Sequence, residues 1–200
     1  MLSIDEGRRA VALAREALTA YINRKERIKP EDLPPAFGEK AGVFVTLHQD
    51  GDLRGCIGYP EPVMKLGRAI VDSAINAGAN DPRFPRVRPE ELSHIEIEVT
   101  VLTPPRPYDV RNRDLPGAVK IGEHGLIVKR GMWSGLLLPQ VATEWGFDPA
   151  DFLCQTCVKA GLAPDSWIDE ETEVLFFEGQ VFAEVAPGGE VVEKDICKCA

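Results

Sequence analysis

From Val11 onward, apolar side chains return every three or four positions, at Ala14, Leu18 and the pair Tyr21-Ile22, the spacing that lines one face of an α-helix. Ser3 stands just ahead of this run and Glu6 three residues after it, the pairing that satisfies the first free backbone N–H groups of a helix. Together they predict a helix over roughly residues 5 to 24. Pro30, Pro34 and Pro35 then end any helix and open a loop. Val43 to Leu47 is a β-rich run, and the turn pair Asp50-Gly51 separates it from Leu53-Arg54-Gly55-Cys56-Ile57-Gly58-Tyr59, so the two stretches read as the strands of a hairpin. Pro62 suits a first helical residue, and Val63, Leu66, Ile70, Ala74 and Ala77 lay a stripe along a second helix.

Farther on the period changes. Ile95, Ile97, Val99 and Val101 alternate with His94, Glu96, Glu98 and Thr100, which predicts a half-buried strand with one polar face. Prolines 104, 105 and 107 impose a loop; His124 to Val128 begins another strand, and Leu136-Leu137-Leu138 is its partner after a turn over 129–133. Asp148 and Pro149 open a third helix that Gly161 closes. The last predicted strand, over 174–185, sets Glu178, Gln180 and Glu184 on one face and Leu175, Phe177, Val181 and Ala183 on the other. Helices and antiparallel hairpins alternate without a βαβ rhythm, so the pattern predicts an α+β fold, antiparallel sheets with flanking helices, as one domain over residues 1–200.

Composition narrows the partners. No apolar run reaches the roughly 20 residues that a bilayer span needs, and the N-terminus carries no signal-peptide pattern, so a cytoplasmic chain without membrane contact is expected. A net charge of −9 argues against general coating of nucleic acid, which requires a basic surface. The densest basic stretch, Arg24-Lys25-Glu26-Arg27-Ile28-Lys29, reads as a helix end whose cations complement the C-terminal dipole. Five cysteines without a secretory signal do not predict a disulfide framework. Cys154 and Cys157 with Cys197 and Cys199 reach the count of a four-thiolate zinc site, but Cys-x-Cys is not the usual spacing, and no metal is expected. No phosphate-binding glycine pattern or serine nucleophile elbow is present, and no cofactor is expected.

The candidate chemistry centres on Arg54 and Cys56. In an extended strand they share a face, and a cation beside a thiol lowers its pKa and raises its thiolate fraction. His124, before a glycine at a strand start, completes a candidate Cys/His pair; His48 is the alternative, across the hairpin. Cys56 as a small buried hydrophobe between two glycines is the competing reading. Glu98, Gln140, Glu178 and Gln180 are candidates to line a polar site, and Glu178 pairs with Arg54 or Arg83 either structurally or as part of a substrate pocket.

Five ordered motifs carry a resemblance: Leu53 to Tyr59, Asp81-Pro82-Arg83-Phe84, His124-Gly125-Leu126, Leu136 to Ala142 with Gln140, and Cys157 to Leu162. Through them the chain resembles the AMMECR family, named for an Alport-syndrome chromosomal region, in its archaeal and bacterial form. The resemblance implies an α+β fold of two intertwined lobes around a cleft that takes a small molecule, a protein or RNA. It also implies a modification pathway shared with Memo-like and radical S-adenosylmethionine proteins, or a role near translation. From the residues themselves, Cys56, His124 and Glu178 are the candidate catalytic residues of an enzyme, and Arg54, Arg83, Gln140, Gln180 and Glu98 the candidate binding residues. A binding or accessory role without turnover is the other expectation.

Overall fold

A computed structural model describes residues 1–194. Cys197 and Cys199 lie outside the described residues. The chain divides into two compact units, the first made of Met1–Leu102 and Gln180–Lys194, the second of Thr103–Gly179.

In the first unit, helix α1 (Ile4–Arg24) begins at Ser3 with the expected reciprocal bonds to Glu6, and Lys25, in the left-handed region at φ 59°, ends it. Strands β1 (Gly42–Gln49) and β2 (Asp52–Tyr59) form the expected hairpin. Asp50 and Gly51 both have positive φ, at 54° and 86°, the geometry of a tight turn whose twist matches that of the strands. Helix α2 (Leu66–Ala79) starts later than its apolar stripe predicts. The Leu66 N–H bonds to the Glu39 carbonyl and Lys65 bridges to Lys40, so these long-range bonds hold the preceding residues extended and leave Val63 exposed. Strand β3 (Ile95–Leu102) runs antiparallel to β1, and the order in this unit is β2-β1-β3-β7, with β8 (Val191–Lys194) on β7 (Glu173–Glu184). Val43, Val45 and Leu47, with Ile95, Ile97 and Val99, bury one sheet face under α1 and α2. Phe44, Thr46 and His48, with Glu96 and Glu98, form the half-buried opposite face.

The last part of β7 is closed off more than its polar residues predict. Glu184 is buried and bonds to the Arg15 guanidinium and the Ile97 N–H, while Phe182 packs against Gly7, where a β-carbon would sit 2.1 Å from its ring.

In the second unit, β5 (His124–Arg130) pairs with β6 (Trp133–Leu137) and with the first part of β7, onto which β4 (Arg106–Pro107) also pairs. A short helix, α3 (Pro139–Glu144), follows the apolar strand directly. Leu138 is already its N-cap and Pro139 its first residue, so Gln140 lies in a helical turn, not at a strand end. Helix α4 (Pro149–Lys159) carries the capping box Asp148/Asp151, and Gly161 follows it at φ 80°. Among the described residues no helix is long and apolar enough to cross a membrane.

Candidate functional site

Strand β2 does not keep simple alternation. His48 pairs with Leu53 and Leu47 with Gly55, which leaves Arg54 as the extra residue of a bulge. Two consequences follow. Thr46, not His48, stands opposite Cys56. Arg54 turns to Glu91 at 2.9 Å and to the Pro85 carbonyl at 2.9 Å, in an ion pair whose side chains are 13 and 15 % exposed. A cation this enclosed serves the fold first.

The cation next to Cys56 is Arg83. β2 is an edge strand of its unit, so the outward N–H and C=O of Cys56 need partners. Asp81 supplies one, accepting from the Cys56 N–H at 2.9 Å, and Arg83 the other, donating to the Cys56 carbonyl at 3.1 Å. Arg83 also grips the Asp81 carboxylate through two guanidinium nitrogens, at 2.8 and 3.0 Å, and its own N–H. These bonds, that of the guanidinium foremost, hold the buried Asp81 carboxyl well below the ordinary carboxylate range. The Asp81-Pro82-Arg83-Phe84 motif is therefore a plug on a sheet edge.

The glycines on either side of Cys56 have their own cause. A β-carbon on Gly55 would lie 2.3 Å from the Ala77 carbonyl oxygen of α2, and one on Gly58 2.2 Å from the Val43 carbonyl oxygen of β1. Only glycine lets the backbones approach so closely.

What remains on the open side is a row running across three strands. Cys56, Thr46 and Glu98 stand opposite one another in register, and Lys194 of β8 reaches Glu98 at 3.0 Å. The Thr46 hydroxyl donates to the Cys56 sulfur at 3.3 Å. Burial pushes the Cys56 thiol up; the Thr46 bond and Arg83 oppose this, while Asp81 and Glu98 add to it, and the net direction is upward. The expectation of a thiol activated by Arg54 is thus corrected: burial outweighs the nearest cation, and that cation is Arg83.

His124 and Glu178 come together in the second unit, directly opposite each other on β5 and β7. The partner of Glu178 is Arg106 at 3.5 Å, not Arg54 or Arg83. His124 is buried, its ring 4.5 Å from that of Phe176, and its Nδ1 accepts from the Lys120 N–H at 3.3 Å. That bond requires an unprotonated Nδ1, so the Tyr108 hydroxyl, 2.8 Å away, donates to the same nitrogen. Burial, only partly offset by Glu178, lowers the His124 pKa below 6.5. The folded state therefore favours the neutral ring, and its contribution to stability is present above 6.5 and lost as pH falls through the lower folded value. A proton NMR titration of the imidazole is expected to give a midpoint below 6.5; a midpoint above it would contradict this environment.

The other candidate residues are placed one by one. Gln180 accepts from the Leu2 N–H at 2.6 Å and donates to the Leu2 carbonyl and to Glu193, tying the start of α1 to β7. Gln140 offers its carbonyl to Thr143 within α3. Cys154 accepts from the Trp167 ring N–H at 3.4 Å, and Cys157 is a core residue whose thiol burial pushes up to about 11. Thr46, Tyr108 and Lys194 enter as partners that the sequence pattern does not single out, and Asp81 as one named there only within its motif. The Asp81 motif was visible; the place of Thr46 depends on a bulge that alternation does not reveal.

Comparison with known proteins accounts for nearly the whole chain. A protein of Methanothermobacter thermautotrophicus is 54% identical over 185 residues, 92% of this chain and 96% of that protein, and one of Methanosarcina barkeri is 50% identical over 199 residues, 98% of each. An uncharacterized protein of Pyrococcus horikoshii, known as a crystal structure, superposes with a TM-score of 0.85 at 45% identity over 96% of this chain and 97% of its own. The AMMECR1 family model matches residues 11–182, and the chain belongs to the AMMECR1 family.

Proposed function

We propose that the chain is a binding or accessory component, and that the face carrying Cys56, Thr46 and Glu98 in the first unit recognises a partner molecule without turnover. The state of the thiol carries this reading. Burial holds Cys56 toward its neutral form, Thr46 is its hydrogen-bonding side chain, and Arg83, the nearest cation, is already committed to Asp81. A thiolate nucleophile needs the reverse: a depressed pKa and a base within hydrogen-bond reach. His124 is an unsuitable base, because its free lone pair at Nδ1 already receives two donors. A neutral thiol, a hydroxyl and the Glu98–Lys194 pair instead offer a mixed set of donors and acceptors to a peptide or a small polar molecule. The family resemblance supplies the setting, a cytoplasmic modification pathway that includes Memo-like and radical S-adenosylmethionine proteins.

Site-resolved alkylation tests the proposal. Iodoacetamide at neutral pH is expected to label Cys56 no faster than glutathione, with the rate still rising with pH beyond the point where an ordinary thiol levels off. Labelling faster than the model thiol would restore the enzyme reading. Arg54→Ala does not distinguish the two, since it breaks the enclosed pair with Glu91. Thr46→Val and Glu98→Gln change the proposed face itself, and are expected to abolish capture of the native partner from cytosol while Cys56→Ser keeps it.

A further inference from the structure

The chain is acidic overall, at −9, yet one surface of the first unit concentrates cations. The Tyr21 ring on α1 has three of them within cation–π range of its centroid: Arg86 at 5.2 Å, Lys25 at 5.6 Å and Arg27 at 5.7 Å. Arg27 also reaches Asp72 at 2.7 Å, and Asp72 receives the Tyr59 hydroxyl, so the cluster continues to a second tyrosine, where Arg68 is a further close cation. All four cationic side chains are exposed. Asp72 is the carboxylate these interactions include, and it is already bonded by Arg27, Tyr59 and Asn76. Arg68 and Arg86 have neither a hydrogen bond nor an ion pair among the described residues.

Only part of the basic run at the end of α1 acts as a helix cap. The Lys25 ammonium does bond to the Ile22 carbonyl in the last turn, as a helix-end cation should. Arg27 and Arg86 are drawn together over one ring instead. Like charges gathered this way repel one another, and the ring quadrupole offsets only part of that. Where repelling cations lack counter-charges of their own, an anion bound across them removes the repulsion.

We propose that the surface around Tyr21 and Tyr59 docks a short acidic segment of a partner protein, its carboxylates received by Arg27, Arg68 and Arg86. The Arg27–Asp72 pair shows the geometry this surface gives a carboxylate. Three of the four cations are arginines, whose planar forks suit such groups. Length decides against a polynucleotide. At physiological salt, fields reach about 8 Å, so a short acidic segment meets only the patch, whereas a nucleic acid strand runs beyond it over a surface of its own sign. This site does not involve Cys56 and stands whether or not the Cys56 face binds.

The test is fluorescence anisotropy with a labelled decapeptide rich in glutamate and, in parallel, a labelled single-stranded RNA of equal charge. The peptide is expected to bind saturably at about 20 mM salt and to be released at about 300 mM, where screening is stronger. R68Q/R86Q is expected to weaken it about tenfold, the sum of two exposed arginine–carboxylate pairs. The double variant should stay folded with a melting curve close to that of wild type, because neither side chain has a hydrogen bond or ion pair to lose and the one contact removed, Arg86 over the Tyr21 ring, is exposed and is offset by relief of the repulsion. Cys56→Ser should bind the peptide as wild type does, which separates this site from the Cys56 face. Absence of saturable peptide binding, equal binding by the double variant, or tighter binding of the RNA than of the peptide would each overturn the proposal.

Discussion

Asp81→Ala is expected to lower the unfolding midpoint of the first unit by about 5–10 °C, read by thermal circular dichroism. The carboxylate accepts from the Cys56 N–H and from three N–H groups of Arg83, and it is 5 % exposed. Its removal leaves an edge-strand N–H without a partner and frees Arg83 from the Cys56 carbonyl. Charge-assisted bonds of this kind carry a cost of about 2–3 kcal/mol when one partner is deleted, and in a chain of this size each kcal/mol is worth about 2–4 °C. Acid should mimic the mutation. Because the folded Asp81 pKa lies well below the ordinary 3.8, the stabilisation is fully present above 3.8 and is lost as pH falls below it. The gap between wild type and variant is expected to be constant near neutral pH and to close on acidification below pH 3.8. A gap that persisted unchanged in acid would show that Asp81 acts through packing alone.

Gly55→Ala is expected to cost about 3 kcal/mol, at the upper end of the range for overpacking. The new β-carbon would lie 2.3 Å from the Ala77 carbonyl oxygen. That atom belongs to the backbone near the end of α2, so no side chain can swing aside to make room. Either the hairpin or the helix must shift, and the Cys56–Thr46–Glu98 row shifts with β2. Urea denaturation gives the magnitude. A Gly55→Ala protein as stable as wild type would mean that β2 and α2 do not approach as described. Gly51→Ala is the contrast: nothing lies near its β-carbon, and its cost should come from the positive φ alone.

Local signals carried much of this structure into the sequence. The capping box at Ser3, the Asp50-Gly51 turn and the alternation over β3 each depend on neighbours a few residues apart, and each predicts the element found. The α+β class follows from them. The positions that differ each have a particular cause. α2 starts late because residues 39 and 40 hold its approach. Gln140 enters a helix because Leu138 and Pro139 stop the strand first. Arg54 leaves its expected face because one extra residue in β2 opens a bulge.

The site residues follow the same division. Cys56, Glu98, Glu178 and His124 were legible as residues with potential chemistry. Their partners were not, since Thr46, Lys194, Arg106 and Tyr108 arrive through strand register and tertiary packing. The sequence left Cys56 between an activated thiol and a small buried hydrophobe: it shows an arginine two residues away, but only packing shows that burial is the larger influence.

The discontinuous make-up of the first unit has a consequence for synthesis on the ribosome. Residues 1–102 emerge long before 180–194, and without that later segment β3 lacks its neighbour β7, the Arg15 guanidinium lacks Glu184, and the space beside Gly7 lacks Phe182. At about 5–20 residues per second, the nascent sheet waits several seconds with an unpaired edge. The hairpin and α1 form from local contacts in that interval, whereas closure of the unit is a late, long-range event. Until residues 180–194 are available, the β3 edge is therefore open to pairing with another chain.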